Sequence, residues 1–361
     1  MHYLILIMHL IYRVKRLKRK ENLAMFKLIY IEQALVKNKK TKEILDKFPE
    51  AQHIICERYN EVFNRRKQNF RFQKQQPALI IAQKTGNIVI SVPEGYGIGG
   101  SSNFYFSHML NCIYDCRYCF LQGMYQSANI VLFTNYEDFS AKIEEKIVSA
   151  GKNSHFFSGY DCDSLALDSI SGFSNHFLDL FEKHPDAVIE LRTKSVQIRS
   201  LLKRTALPNC VVAFSLNPQC VTTKLEKGTP NLSQRIRAIR KLSTNGWPIG
   251  LRFDPLIYHK DWKAQYASLF QHVFNNVPSA SIHSVSLGQF RLPTKMFKRV
   301  QNLYPEEPIF SWGLTQKNGQ VAYQQQWASE MHEFCLESLK SYVSPNIIFP
   351  CPSITTEKIA I

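Results

Sequence analysis

The sequence predicts an α/β protein: a partial (β/α)6 barrel with a lead-in subdomain before it and a hairpin plus helix after it. Three observations predict this class. From about residue 103, short β-rich runs alternate with helical ones, the pattern of β/α units around a mainly parallel sheet. Six such strands are legible, which suits an open barrel rather than a closed eight-stranded one. The 361 residues are 45% hydrophobic and 12% aromatic and show no low-complexity tract or internal repeat, so the chain can bury a core of barrel size.

In chain order, residues 1–24 form an extension, apolar to residue 12 and then basic from Arg13 to Lys20. A secretory signal carries its positive charge ahead of the apolar stretch, and a membrane span needs ~20 apolar residues. The segment reads as dispensable, an upstream start before Met25, with an interfacial membrane anchor as the functional alternative. Residues 25–95 are the lead-in subdomain, with apolar runs Ala78–Ala82 and Ile88–Val92 separated by Lys84-Thr-Gly86. Gly95-Tyr-Gly-Ile-Gly-Gly100 follows; with no helix pattern behind it, it reads as a flexible connection rather than a phosphate loop. Residues 96–305 are assigned to the barrel. Its strands are expected at Phe104–Met109, His155–Tyr160, Ala187–Arg192, Cys210–Leu216, Ile249–Asp254 and Ile282–Leu287. Apolar residues at helical spacing place helices at Tyr136–Ser149, Phe173–His184, Leu232–Thr244 and Trp262–Phe274. Residues 306–361 close the chain. Here Ile309–Leu314 and Gln320–Gln324 flank the turn pair Asn318-Gly319, and a helix to about Tyr342 precedes a proline-broken tail.

Forty-five Lys and Arg against 29 Asp and Glu give a net charge of +16, of which +11 remains once residues 1–24 are set aside. Such an excess favours a polyanionic partner, nucleic acid first. The run Phe63-Asn-Arg-Arg-Lys-Gln-Asn-Phe-Arg-Phe-Gln-Lys74 interleaves aromatics with cations, as phosphate contacts plus base stacking require. A solvated basic face over core aromatics is the competing reading. Lys295, Lys298 and Arg299 form a second patch. An odd set of nine cysteines without a secretory signal points to a reducing, cytoplasmic setting with no stable membrane insertion.

Cys112, Cys116 and Cys119 stand in Asn111-Cys-Ile-Tyr-Asp-Cys-Arg-Tyr-Cys-Phe120, a C-x3-C-x2-C spacing. It follows the first strand directly, where parallel barrels carry their active-site loops. Three thiolates from one short loop can ligate three irons of a 4Fe-4S cubane, leaving the fourth iron open to a small chelating ligand. With His108 nearby, a Cys3His zinc site is the alternative, although no second ligand knuckle occurs. The spacing resembles that of radical S-adenosylmethionine enzymes. That resemblance implies a 4Fe-4S cluster, S-adenosylmethionine, an electron donor such as flavodoxin or ferredoxin, and cleavage to a 5'-deoxyadenosyl radical.

Beyond the cysteines, roughly Met25 to Tyr342 resembles the spore photoproduct lyase family within that superfamily. The resemblance is carried by Ser215-Leu-Asn-Pro, Leu225-Glu-Lys-Gly-Thr-Pro230, Arg235-Ile-Arg-Ala-Ile, Gly246-Trp-Pro-Ile-Gly250 and Asp254-Pro-Leu-Ile-Tyr258, then Trp262. Leu28-Ile-Tyr-Ile-Glu32 and Leu121 are also similar. It implies repair of a pyrimidine photoproduct in DNA. The alternatives are radical chemistry on another substrate (an RNA base, a peptide or a small molecule) and a catalytically impaired iron-sulfur protein that binds nucleic acid.

Lys194 and Ser215 fall at strand ends on the cluster side, where an ammonium and a hydroxyl can hydrogen-bond a carboxylate or a ribose; the resemblance implies the same role. Asn217 either binds the cofactor or caps the turn before Pro218. Arg252 alternates with Leu251 and Phe253 and so points to the lumen, where it needs an anionic partner: Glu190, Asp254 or the cofactor. Two positions depart from the family. Tyr160 occupies the place of its hydrogen-donor cysteine. Of the tyrosines flanking the last cluster cysteine, Tyr118 is kept and the second is Phe120. Cys162 is a candidate replacement donor, since residues two apart on an extended chain share a side at ~6–7 Å; a small buried hydrophobe is the other reading.

Overall fold

The computed structural model describes residues 25–93 and 95–351, so the expectations for residues 1–24 and for the last ten residues lie outside the described residues. The described residues divide into two compact units, one running to Lys84 and including Gln126–Thr134, the other formed by Thr85–Tyr125 and the residues from Asn135 on.

The larger unit is built on six parallel strands: Ser102–Phe106, Ser154–Ser158, Ala187–Thr193, Cys210–Ser215, Ile249–Leu256 and Ile282–Gln289, side by side in chain order. These are the six expected strands. Cys210–Ser215 is buried at every position, as a parallel strand covered on both faces must be. Two edges extend the sheet. Val89–Ser91 pairs antiparallel with the first barrel strand, and Ile348–Pro350 adds in parallel beside the sixth. The first of these was expected in the lead-in subdomain, the second in an irregular tail.

The intervening helices run Tyr136–Ala150, Phe173–Glu182, Leu232–Thr244 and Trp262–Phe274. Leu232–Thr244 buries Leu232, Ile236, Ile239 and Leu242, a stripe at helical spacing in which each side chain contributes ~1.5–3 kcal/mol. Its start is fixed by a capping box: Asn231 accepts from the Gln234 N–H at 2.9 Å, and Gln234 accepts from the Asn231 N–H at 2.8 Å.

After the barrel, Arg291–Pro293, Gln320–Tyr323 and Leu314–Lys317 form a three-stranded antiparallel sheet where a two-stranded hairpin was expected. Asn318 and Gly319 turn it with φ of 50° and 75°, as a two-residue turn requires. Pro308 replaces the start of the expected first strand with a short 3-10 turn, Pro308–Phe310. The helix Gln325–Lys340 follows.

In the smaller unit, Gln52–Cys56, Leu28–Glu32, Leu79–Ala82 and Ile130–Phe133 lie parallel in that order. Glu32 ends its strand as a brace, accepting from the N–H groups of Tyr59 at 2.7 Å and Gln83 at 2.8 Å. The basic run folds into a turn and a helix, Phe70–Gln75. Phe63 and Phe70 are core residues, and only Phe72 of the three, 71% exposed, is free to stack on a base. No helix among the described residues is long and apolar enough to cross a membrane.

Candidate active site

The three cysteines sit on the loop after the first barrel strand. Cys116 is buried, while Cys112 and Cys119 are partly exposed. Their loop is not self-supporting. Asp115–Cys116 pairs antiparallel with Glu226–Lys227, and the Arg117 N–H donates to the Leu225 carbonyl at 2.8 Å. A turn follows, with the Cys119 N–H on the Cys116 carbonyl at 3.0 Å. On the outer side the Arg117 guanidinium stacks 3.8 Å from the Tyr304 ring, and the Tyr304 hydroxyl donates to Asp115 at 3.1 Å.

His108 takes no part in this loop. It is fully buried, stacks on Phe173 at 3.7 Å, and has its pKa pushed down to about 3 by burial. Among the described residues no three His, Cys, Asp or Glu side chains converge on one ion position. A tetrahedral zinc needs such convergence. A cubane does not, because each cysteine takes a different iron. The donor set, three thiols on one braced loop, therefore fits the cluster.

Behind the cysteines lies a buried polar network. Glu226 accepts from the Tyr118 hydroxyl, from Arg235 Nη2 and, at 3.2 Å, from Asn217 Nδ2. Asn217 also donates to the Tyr118 oxygen at 3.1 Å and accepts from the Tyr266 hydroxyl at 3.3 Å. Its side chain thus joins three elements and does not cap the turn before Pro218. Arg235 goes on to the Ser215 carbonyl at 3.1 Å, the Pro230 carbonyl at 2.9 Å and the Thr229 hydroxyl at 2.7 Å. Burial alone would raise the Glu226 pKa, yet Arg235 and Lys194 hold it below the usual carboxylate range. Burial, followed by the Glu226 charge, lifts the Tyr118 phenol well above its ordinary value. Neither Glu226 nor Arg235 was singled out from sequence, although both lie inside the stretches that carry the family resemblance.

Lys194 follows the third strand, and its ammonium lies 5.7 Å from the Tyr118 ring centre. Burial pulls its pKa down, but the charges of Glu226 and Cys116 outweigh that and raise it, so the side chain is a cation. Its backbone is fixed by Asp163, whose carboxylate accepts from the Lys194 N–H and the Thr193 hydroxyl, each at 2.6 Å, and from the N–H groups of Leu165 at 3.0 Å and Ala166 at 2.9 Å. One carboxylate thereby ties the loops after the second and third strands. Ser215 is buried at the end of the fourth strand.

The second strand ends at Ser158, and Gly159 turns the chain with φ 83°; a Cβ there would stand 2.9 Å from the Arg192 carbonyl. Only glycine meets both demands. Tyr160 then stacks on Tyr105 at 4.7 Å and lies 6.2 Å from Phe120, with burial pushing its phenol to about 12. Residues 160–162 form a bend rather than an extended strand, so the same-side spacing does not apply to them. Tyr160 is 37% exposed, whereas Cys162 is buried with its thiol 3.9 Å from His108 Nδ1.

Arg252 does enter the lumen, and among its three weighed partners the structure pairs it with Glu190. It donates to the two Glu190 oxygens at 3.2 and 2.7 Å, to the Ser284 carbonyl at 3.1 Å and hydroxyl at 2.8 Å, and to the Leu251 carbonyl at 3.2 Å. All five guanidinium donors are spent on protein. Arg252 is a brace, not a cofactor ligand in this arrangement. Sequence reading also passed over Cys351, on the edge strand's end, whose thiol faces Asp254 at 3.7 Å.

Comparison with known proteins agrees with this fold. Residues 24–343 match the family model described as spore photoproduct lyase. The spore photoproduct lyase of Bacillus subtilis (strain 168) is 25% identical over 334 residues, covering 88% of this chain and 94% of that protein. That of Geobacillus sp. (strain Y412MC61) is 24% identical over 246 residues, covering 64% and 70%. Among solved structures, a spore photoproduct lyase variant with bound AdoMet and dinucleoside spore photoproduct superposes with a TM-score of 0.78 at 18% identity, over 90% of this chain and 98% of that one. With the matched model spanning most of its length, the chain belongs to the spore photoproduct lyase family.

Proposed function

We propose that the protein is a radical S-adenosylmethionine enzyme that repairs a pyrimidine photoproduct in DNA, taking its electron from a flavodoxin- or ferredoxin-class donor. The observation that carries this reading is the three-cysteine loop braced beneath the Lys194 ammonium at the mouth of a parallel barrel. When bound, the cluster and S-adenosylmethionine supply one-electron cleavage of a carbon-sulfur bond and a 5'-deoxyadenosyl radical. The chain's own residues do the rest. Lys194 offers a fixed cation to a carboxylate, and Ser215 a hydroxyl to a carboxylate or ribose. Tyr105, Tyr160 and Phe120 present an aromatic wall on which a base can stack. The excess of +11 over residues 25–361 attracts the phosphate backbone.

The hydrogen-return step is this chain's own. Tyr160 stands where the family has its donor thiol, and Phe120 has no hydroxyl to relay hydrogen. Cys162, on the same loop, is the replacement donor we assign. Burial raises its pKa well above the usual thiol value, keeping it as S–H, the form that gives up a hydrogen atom. The Tyr160 replacement also favours a second reading, radical chemistry on a different substrate. The deciding experiment follows deuterium from thymine C6 of a damaged dinucleotide into 5'-deoxyadenosine, using anaerobically reduced protein. Transfer supports lesion repair. Cleavage of S-adenosylmethionine without transfer favours the other substrate, and absence of cleavage removes the enzyme reading.

A further inference from the structure

We propose that the buried Glu226–Arg235 pair positions the three-cysteine loop and sets the reduction potential of the cluster that loop holds. The inference rests on the cluster reading above and assigns to that site two residues whose hydrogen bonds are to protein groups behind the cysteines.

The geometry comes first. Cys116, the middle cysteine, has its backbone paired with Glu226, and the next N–H, of Arg117, goes to Leu225. The loop's centre is therefore held by the segment that follows the fourth barrel strand. That segment is a two-turn helix, Gln219–Leu225, running into the two-residue strand Glu226–Lys227, too short to hold itself in place without a further anchor. The anchor is the Glu226 side chain, which bonds Arg235 on the helix Leu232–Thr244. Arg235 in turn is fixed to the carbonyls of Ser215 and Pro230, so barrel strand, helix and loop meet at one ion pair. The same carboxylate also receives the hydroxyl of Tyr118, the residue just before Cys119. Glu226 thus grips the cysteine loop twice, by its backbone at Cys116 and by its side chain at Tyr118.

The electrostatics follow from burial. Both side chains are 0% exposed, so water and salt screen them little. Reduction of the cluster adds negative charge to the cysteine loop. Glu226 opposes that charge and Arg235 favours it. Neutralising one leaves the other uncompensated, so the two single substitutions shift the potential in opposite directions, which loosened packing alone does not do.

The test compares the full-length protein with Glu226→Gln, Arg235→Gln and the double variant, each reconstituted anaerobically with iron and sulfide at pH 8. Bound iron is assayed, and an EPR-monitored redox titration is normalised to loaded cluster. Glu226→Gln is expected to raise the reduced-to-oxidised ratio at a fixed potential about tenfold, about 59 mV for one electron. Arg235→Gln lowers it by a similar factor, and the double variant returns towards wild type. Equal potentials in all four proteins, or shifts of one sign in both single variants, overturn the electrostatic role. Positioning is read separately on cluster-free protein, by hydrogen exchange at the Arg117 N–H. Glu226→Gln is expected to speed that exchange at least tenfold while strand Cys210–Ser215 keeps its protection, and unchanged exchange overturns the positioning role. A wild-type protein that takes up no iron overturns the cluster reading itself, and the exchange result still stands or falls alone.

Discussion

Replacing Arg252 with methionine separates a brace from a cofactor ligand, and its cost can be worked in two ways. Arg252 and Glu190 are each 1% exposed. Removing one partner of a buried pair costs ~3–5 kcal/mol; because Arg192 still donates to Glu190 at 2.9 Å, the lower end applies. Independently, burial would raise the Glu190 carboxyl, but Arg252 and then Arg192 hold it at about 2 against an ordinary 4.5. A depression of that size corresponds to roughly 3 kcal/mol at neutral pH, the net of burial against both arginines, so it shows the scale of the network while the first route sets the expected loss for Arg252 alone. For a unit of this size the loss lowers the melting temperature by roughly 6–12 °C. The sign with pH follows from the folded pKa lying below the unfolded one. The contribution is complete above about 4.5 and disappears as pH falls towards about 2, so the gap between wild type and Arg252→Met narrows through that window. Calorimetry across pH measures it, and titration calorimetry with S-adenosylmethionine on the folded variant should show unchanged affinity. A variant that melts with wild type but binds the cofactor weakly would refute the brace.

Four further outcomes are expected. Anaerobic reconstitution should give about four irons and four sulfides per chain, and Cys116→Ala should abolish this; stoichiometric zinc without labile sulfide would contradict it. Lys194→Ala and Ser215→Ala should each weaken S-adenosylmethionine binding by ~1–3 kcal/mol, and unchanged affinity in both would remove them from the site. A chain beginning at Met25 should bind DNA with a log-log salt slope of ~0.9 per phosphate contacted, and Phe72→Ala with Arg65→Ala and Arg66→Ala should flatten it; indifference to DNA at low salt would favour another substrate. Cys162→Ala should increase side products while leaving cofactor cleavage intact, and Tyr160→Cys should suppress them; clean thymine formation by Cys162→Ala would make that cysteine a packing residue.

The parts legible in the sequence were those with a repeating signal. Strands such as Cys210–Ser215, buried on both faces, read as unbroken apolar runs, and helices such as Trp262–Phe274 read from their apolar stripe. What depended on pairing in space did not show. The two-residue ladder between Cys116 and Glu226 is too short for any periodicity. Ile348–Pro350 is flanked by prolines that argue against a strand, yet its backbone completes the sheet edge beside Val285–Leu287. The partner of Arg252 was open because Glu190 lies two strands away, across Cys210–Ser215, a distance only the register supplies. Interleaved cations and aromatics could not tell the core rings Phe63 and Phe70 from the exposed Phe72.

Asp163 gives position 160 a physical setting. Its carboxylate takes four hydrogen bonds from two loops, and Gly159 supplies the turn before them, so the path of the chain through Tyr160 owes little to the side chain carried there. On the proposed reading, a phenol takes the place of a thiol at that point without disturbing Lys194 on the other loop. The barrel mouth thus separates inheritance from invention. On the same proposed reading, the means of generating a radical is built into backbone and buried carboxylates, while the manner of quenching it hangs on a replaceable side chain.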